Sequence, residues 1–310
     1  MAGFIKKNFP HCKIFFLGRN YTKDVIALSE HVDGFINYDE IEKLSSQEQV
    51  AYLKEFSADV FVHVFPKKEI ATLVKKVGIP TRVGTTNRIY HWLNCNKLIK
   101  LSRKNSELHE SQLNFKLLEF LNVNTSIALK EVSGYYGFSR IPVLNEEFKK
   151  IIDPTKINII LHPKSKGSAI EWGIDNFEKL VTLLPTHKYK IFVSGTEPEA
   201  KLMPEFLKNK NITDLTGKLS LQQFIAFIYS CNALVAASTG PLHIAAALNK
   251  KAIGLFVPKR PIHPGRWMPV GKDAHFVVFD KACANCKSGK DCDCMSKINP
   301  KQIVDLLEQK

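Results

Sequence analysis

The sequence predicts an α/β protein of two domains, each built on a parallel sheet. Three observations carry that expectation. The chain has 310 residues, too many for one average domain and enough for two that each bury a core. Its C-terminal half alternates strand-like and helix-like segments at short, regular intervals, the pattern of a parallel sheet with helices on both faces. The N-terminal half repeats the alternation more weakly.

The C-terminal elements follow in order. Lys156–His162 is a short apolar run and predicts a buried strand. The polar loop Lys164–Ser168 follows it, and then a helix Ile174–Leu184 that Pro185 ends. Tyr189–Val193 is a second strand, Glu197–Asn209 a helix and Ile212–Leu215 a third strand. Ser220 caps an amphipathic helix running to Ser230, with Leu221, Phe224, Ile225 and Ile228 on one face. Ala233–Ala237 is a fourth strand, Pro241–Leu248 a helix and Ala252–Val257 a fifth strand. In the N-terminal half, Lys13–Leu17, Val60–Val64 and Arg82–Gly84 predict strands, and Ile70–Val77 and Glu107–Leu121 predict helices. Residues 122–155 hold Gly134, Gly137, Pro142 and Pro154 with little periodicity. The expected boundary lies near Pro154, giving domains 1–154 and 155–310.

Hydrophobic residues make up 45% and charged residues 24% of the chain, which excludes a disordered or fibrous protein. No apolar run reaches the roughly 18 residues of a membrane span, and Met1–Pro10 has no signal-peptide core; a cytoplasmic protein is the expectation. The seven cysteines fit reduced thiols better than a secreted disulfide framework. A formal charge of +14 favours an anionic partner. Zinc-finger spacing, an RNP-like aromatic strand and a basic heptad helix are all missing, so nucleic acid is not the expected partner.

Two stretches carry chemistry. In Leu234–Leu248 a strand runs into Ser238-Thr-Gly240 and a helix starts at Pro241, so free amides would point out of the sheet's C-terminal edge, where anions bind. Gly240 lets a phosphate approach the backbone, and Ser238 and Thr239 add hydroxyls; an N-cap that binds nothing is the alternative. His243 falls in the first turn, as ligand contact or as a hydrogen-bonded plug. In His162–Trp172, Lys164, Ser165, Lys166 and Ser168 stand at the same edge, where an ammonium suits a diphosphate leaving group; solvated loop charges are the alternative. Finally, Cys283-Ala-Asn-Cys286 and Cys292-Asp-Cys294 gather four thiols. Thiolate zinc sites often use Cys-x2-Cys, but Cys-x-Cys is a poor second half. The tail reads as a cysteine-rich surface loop, with a bound metal as the alternative.

Leu161-His-Pro with Ser168-Ala and Trp172, then Val193-Ser-Gly-Thr196, Leu215–Leu221 and Ser238-Thr-Gly-Pro-Leu-His243 occur in an order that resembles glycosyltransferase family 9, the ADP-heptose:lipopolysaccharide heptosyltransferases. The likeness is specific from Asn158 to Pro269, including Gly265-Arg-Trp-Met-Pro269, and diffuse before that, including His109–Asn114. It implies the GT-B arrangement of two facing Rossmann-like domains, and an inverting transfer of heptose to a lipopolysaccharide inner-core acceptor. No cofactor is implied. The C-terminal domain would hold ADP-heptose, and the N-terminal domain an anionic, lipid-linked oligosaccharide at the inner face of the inner membrane. Carried over by position, Thr239 and Gly240 would bind the diphosphate through their amides, with Pro241 also in the donor site, Leu219 would meet the adenine through its backbone, and Glu199 the ribose, with Glu197 as runner-up. Ser238 stands where many members have an aspartate touching the sugar. Ile170 and Glu171 replace the lysine often found before the tryptophan, which leaves Lys164 or Lys166 to substitute. Lys67 and Lys68 would contact acceptor phosphates.

The family's first strand and its Gly-Asp turn, with the aspartate that acts as base, have no counterpart in this sequence, so no catalytic residue is assigned. Met1–Pro10 matches the helix after that turn. The expectation is a true start further upstream; the alternative is a catalytically impaired nucleotide-sugar-binding protein.

Overall fold

The computed structural model describes residues 1–103 and 106–309. The chain divides into two units, Met1–Gly137 and Phe138–Lys310. The division falls upstream of Pro154 because residues 138–154 are tied to the C-terminal unit. Gln223 accepts from the Asn145 amide at 2.8 Å and donates to the Val143 carbonyl at 3.0 Å. Asn158 in turn donates to the Asp153 carbonyl at 2.8 Å.

In the N-terminal unit, β1 (Phe15–Gly18) pairs in parallel with β2 (Gly34–Asn37). A separate parallel sheet holds β3 (Val60–Val62), β4 (Thr81–Thr85) and β5 (Lys97–Ile99) in that order. Leu17 and Ile36 pack with Leu53 and Leu73 from neighbouring helices, while Val83 and Ile99 pack with Leu113 and Leu117. The helix Lys68–Val77 buries Ala71, Leu73 and Val74 and ends where Gly78 takes a left-handed φ of 85°. The long helix expected over Glu107–Leu121 is shorter, Glu110–Lys116. It starts late because His109 forms a capping box with Gln112. Beyond it the backbone tightens to a 3-10 turn, Glu119–Leu121, and Asn122 turns left-handed.

The C-terminal unit holds one six-stranded sheet in the order β11-β10-β9-β6-β7-β8, with every pair parallel. The strands are β6 (Ile157–His162), β7 (Tyr189–Val193), β8 (Ile212–Asp214), β9 (Ala233–Ala237), β10 (Lys251–Leu255) and β11 (Ala274–Val277). β9 is buried along its whole length, as a central strand covered on both faces must be. Ser220 caps the helix Leu221–Ser230 by accepting from the Gln223 amide at 3.3 Å. The single helix expected over Glu197–Asn209 is two short ones, Glu197–Ala200 and Pro204–Leu207. The break is at Met203, which caps the second helix with a non-helical φ of −146° and ψ of 44°, and Pro204 brings no amide to continue the first. Among the described residues no helix is long and apolar enough to cross a membrane.

Candidate functional site

The strand order places a topological switch between β6 and β9. From β6 the chain proceeds through β7 to β8 on one side, then crosses to β9, β10 and β11 on the other. In open parallel sheets, ligands bind outside the C-terminal strand ends at such a point. The loops after β6 and β9 are the two that the sequence singles out.

After β9, Thr239 caps the helix Gly240–Ala247, so Gly240 is the first helical residue and Pro241 the second. The cap is bare: the Thr239 side chain accepts from no helix amide, and its buried Oγ1 has no hydrogen-bond partner among the described residues. A buried hydroxyl normally finds a partner, so an orphan calls for one from outside the chain. The first-turn amides of Gly240 and Leu242 precede the helical ladder, so the helix itself offers them no acceptor. Ser238 and Pro241 are half-buried beside them. His243 is half-buried, and its amide donates back to the Thr239 carbonyl at 3.4 Å.

The loop after β6 is organised by Glu171. Its carboxylate accepts from the Ser165 amide at 2.9 Å and from the Lys164 ammonium at 2.8 Å. Ser165 is buried and also donates to the Ala169 carbonyl, and Ser168 donates to the Ser165 carbonyl at 2.7 Å. Lys164 therefore enters an internal ion pair, and Lys166 is the exposed cation of the loop, in a left-handed turn with φ 48°.

His162, at the end of β6, links this loop to the one after β7. Its Nδ1 lies 2.9 Å from Ser194 Oγ, and its ring stacks on Phe224 with centroids 6.1 Å apart. Burial pulls the imidazole down to about 4, so it is neutral at pH 7. Glu199 is buried, and its Oε2 accepts from the Thr196 amide at 2.7 Å and the Thr196 hydroxyl at 2.8 Å. Burial pushes this carboxyl up, but the two Thr196 hydrogen bonds, with His162 and Lys166 nearby, outweigh it and hold the group below its ordinary range. Glu197 is exposed. Leu219 is half-buried beyond β8, one residue before the Ser220 cap.

In the N-terminal unit, Lys67 and Lys68 are exposed at the start of the helix Lys68–Val77, and the Lys67 ammonium lies over the Phe65 ring. Next to them the sequence reading missed a pair of buried imidazoles. His63 and His91 have ring centroids 5.2 Å apart, and the Nε2 of each has no hydrogen-bond partner among the described residues. His91 accepts from the Thr85 amide at 2.8 Å, and a Cβ on Gly84 would come within 2.7 Å of its ring, so only glycine seats it. Burial, with His91 alongside, lowers His63 to about 4. The unfolded chain then binds more protons than the folded one between pH 6.5 and 4, and stability must fall as pH drops through that window. At 1.36 kcal/mol per unit, His63 alone removes about 2 kcal/mol between pH 7 and pH 5. Urea unfolding at both pH values measures it. His63→Gln should flatten the slope, and an unchanged slope would refute the assignment.

The sequence profile of glycosyltransferase family 9 (heptosyltransferase) matches residues 52–295. The chain belongs to glycosyltransferase family 9. Lipooligosaccharide heptosyltransferase 2 of Campylobacter jejuni is 27% identical over 224 residues, which are 66% of this chain and 66% of that protein. The structure of Escherichia coli ADP-heptose lps heptosyltransferase II superposes with a TM-score of 0.75 at 17% identity, covering 99% of this chain and 91% of that one. A family 9 glycosyltransferase of Veillonella parvula superposes at 0.79, with 17% identity and 99% and 93% covered. These likenesses establish the fold as the GT-B class of two Rossmann-like units. The chain is thus a glycosyltransferase of the heptosyltransferase family. In this member the clasp made by Glu171 and the stacked pair of His162 and Phe224 escaped the sequence reading. His162 stands at the head of a quoted motif, but only folding reveals that its ring joins two loops.

Proposed function

We propose that the protein transfers heptose from ADP-heptose, with inversion, to an anionic lipid-linked oligosaccharide of the lipopolysaccharide inner core. The C-terminal unit binds the donor. The observation that carries the reading is the bare cap at Thr239: a buried hydroxyl with no partner among the described residues, beside first-turn amides that a helix cannot pair by itself, at the switch point of the sheet. A diphosphate oxygen supplies the missing acceptor. From β9 to β8 the sheet edge spans three strand spacings, about 14 Å, a length that suits an extended nucleoside diphosphate. The diphosphate lies on Thr239, Gly240 and Pro241, with Ser238 and His243 toward the sugar. A ribose hydroxyl meets the Glu199 oxygen that Thr196 does not use, and the adenine meets the backbone at Leu219. Ser165 and Ser168 shape the loop, Lys164 is held by Glu171, and Lys166 adds the cation.

As the acceptor oxygen bonds to the anomeric carbon, the bond to the diphosphate breaks, ADP leaves and the hydroxyl proton is released to water. Charge grows on the leaving phosphate, and amides already aimed there stabilise it without reorganising. Lys67 and Lys68 hold acceptor phosphates, and the high positive charge favours work at the inner face of the inner membrane, in the cytoplasm. An Escherichia coli heptosyltransferase of the same fold, superposing at 0.65 with 14% identity, was solved with ADP, which supports this class of donor.

Calorimetric titration with ADP tests the donor half and labelled-heptose transfer tests the whole. Thr239→Val should weaken ADP binding about 5- to 10-fold, near 1 kcal/mol, while apo stability stays level or rises, because an orphan hydroxyl is removed. ADP binding without transfer would leave a nucleotide-sugar-binding protein. No binding by folded protein would end the reading.

A further inference from the structure

The cysteine-rich tail is more than a surface loop. Cys286 and Cys294 are buried, Cys283 and Cys292 are half-buried, and all four pack on the core of the C-terminal unit. Their sulfur atoms lie within 4.8 Å of one another, with Cys286 and Cys292 closest at 2.8 Å. A tetrahedral zinc with bonds of about 2.3 Å sets its sulfurs about 3.8 Å apart, inside that range. A multi-iron cluster holds its thiolates further apart, around a cube. The local backbone also suits a metal. Cys283 caps the short helix Ala284–Lys287, and the amides of Asn285 and Cys286 donate to its sulfur, the arrangement that orients a ligating thiolate. Gly289 then turns with φ 79°, and its amide closes on the Cys286 carbonyl at 3.1 Å, bringing Cys292 and Cys294 back to the first pair. Four thiolates around a divalent ion carry two net negative charges. Lys281, Lys287, Lys290 and Lys297 belong to the same segment and offset part of that charge, although Asp280, Asp291 and Asp293 lie among them and Lys297 is paired with Asp293 at 2.8 Å.

We propose that Cys283, Cys286, Cys292 and Cys294 bind one structural zinc ion, closed to solvent ligands by its four sulfurs. Tetrahedral sulfur-only coordination selects zinc over the harder divalent ions. The Cys-x-Cys spacing that reads poorly in sequence works here because Cys292 and Cys294 approach from a turn rather than from a regular element. The zinc fastens a segment that is also sewn to the donor side of the unit. Just beyond the thiols, Ser296 and Ile298 accept from Asn176 at 2.8 Å and from the Trp172 indole at 3.0 Å. Trp172 ends the loop that Glu171 organises, so metal binding and loop order are coupled.

The test is made on the full chain purified in reductant. Native mass spectrometry with elemental analysis should find one zinc per chain, and the denatured mass should show seven reduced thiols. Cys292→Ser and Cys294→Ser should each lose the metal, whereas Cys95→Ser, in the other unit, should keep it. Should the serine variants fail to fold, exchange of the wild-type protein into cobalt decides. A thiolate-to-cobalt charge-transfer band with tetrahedral visible absorption supports the site, and chelation should then lower the melting temperature. Folded, reduced protein with neither zinc nor the cobalt band overturns the proposal, as does iron in its place or a Cys286–Cys292 disulfide in freshly isolated protein.

Discussion

Trp172→Ala is expected to cost the C-terminal unit about 4–5 kcal/mol. The indole is 1% exposed and packs edge-on against Phe177, with centroids 4.9 Å apart at 78°. Truncating a buried tryptophan to alanine leaves a cavity and typically costs 3–5 kcal/mol. The Ile298 carbonyl, which accepts from the indole at 3.0 Å, also loses its partner, a further penalty of about 1 kcal/mol. For a unit of this size each kcal/mol moves the melting temperature by roughly 2–4 °C, so a fall of roughly 10–15 °C is expected by calorimetry. Trp172→Phe keeps one aromatic ring but loses the pyrrole half with its donor, and should lose about 2–3 kcal/mol. Equal losses in both variants would mean that the hydrogen bond, not the packing, holds the tail; a loss below 1 kcal/mol in both would show that the tail is fixed elsewhere.

The parts of the fold legible in the sequence are those where burial is continuous. β6, β7 and β9 are apolar runs with both faces covered, and their limits in the structure lie within a residue of the sequence reading. β2, β5 and β11 went unseen: they are three or four residues long and largely half-buried, too short to establish a period. The equally short β3 and β8 were read from the longer apolar stretches Val60–Val64 and Ile212–Leu215. Helix breaks were missed for a different reason. Pro204 stood in plain view, but a proline is also welcome in a helix's first turn, and only Met203 shows which case applies. The division into units lies before Phe138 and not near Pro154 because Gln223, far along the chain, anchors residues 143–145.

The site divides in the same way. Thr239 and Gly240 were legible because a strand, a hydroxyl pair, a glycine and a proline follow one another directly, and local chemistry alone makes that a helix N-terminus. The Glu171 clasp was not, since a carboxylate next to a tryptophan gives no sign that the loop will fold back on it. His63 and His91 stand on different elements and meet only through the register of β3 with β4, where Val62 pairs with Val83. The cysteines lay between these cases: adjacent in sequence, yet judged by spacing, when the turn at Gly289 is what gathers them.

Gly240 is where donor binding and folding come apart most cleanly. A Cβ built on it meets nothing within 4 Å, and its φ is not left-handed, so neither space nor backbone demands glycine in the isolated protein. Gly240→Val should therefore leave stability within about 0.5 kcal/mol of the parent, as an uncrowded surface change does. A diphosphate bonded to the first-turn amides must come within about 3 Å of the backbone, into the volume that an isopropyl group would fill. ADP affinity should fall at least about 100-fold, some 2.7 kcal/mol, and Gly240→Ala should fall between the two. Thermal unfolding and calorimetric titration on the same preparations separate the effects. If Gly240→Val is folded and binds ADP as tightly as the parent, the diphosphate does not lie on this helix, and the orphan hydroxyl of Thr239 requires another occupant. If affinity collapses while the fold is untouched, glycine is kept at this position by the ligand alone, since nothing in the chain itself calls for it.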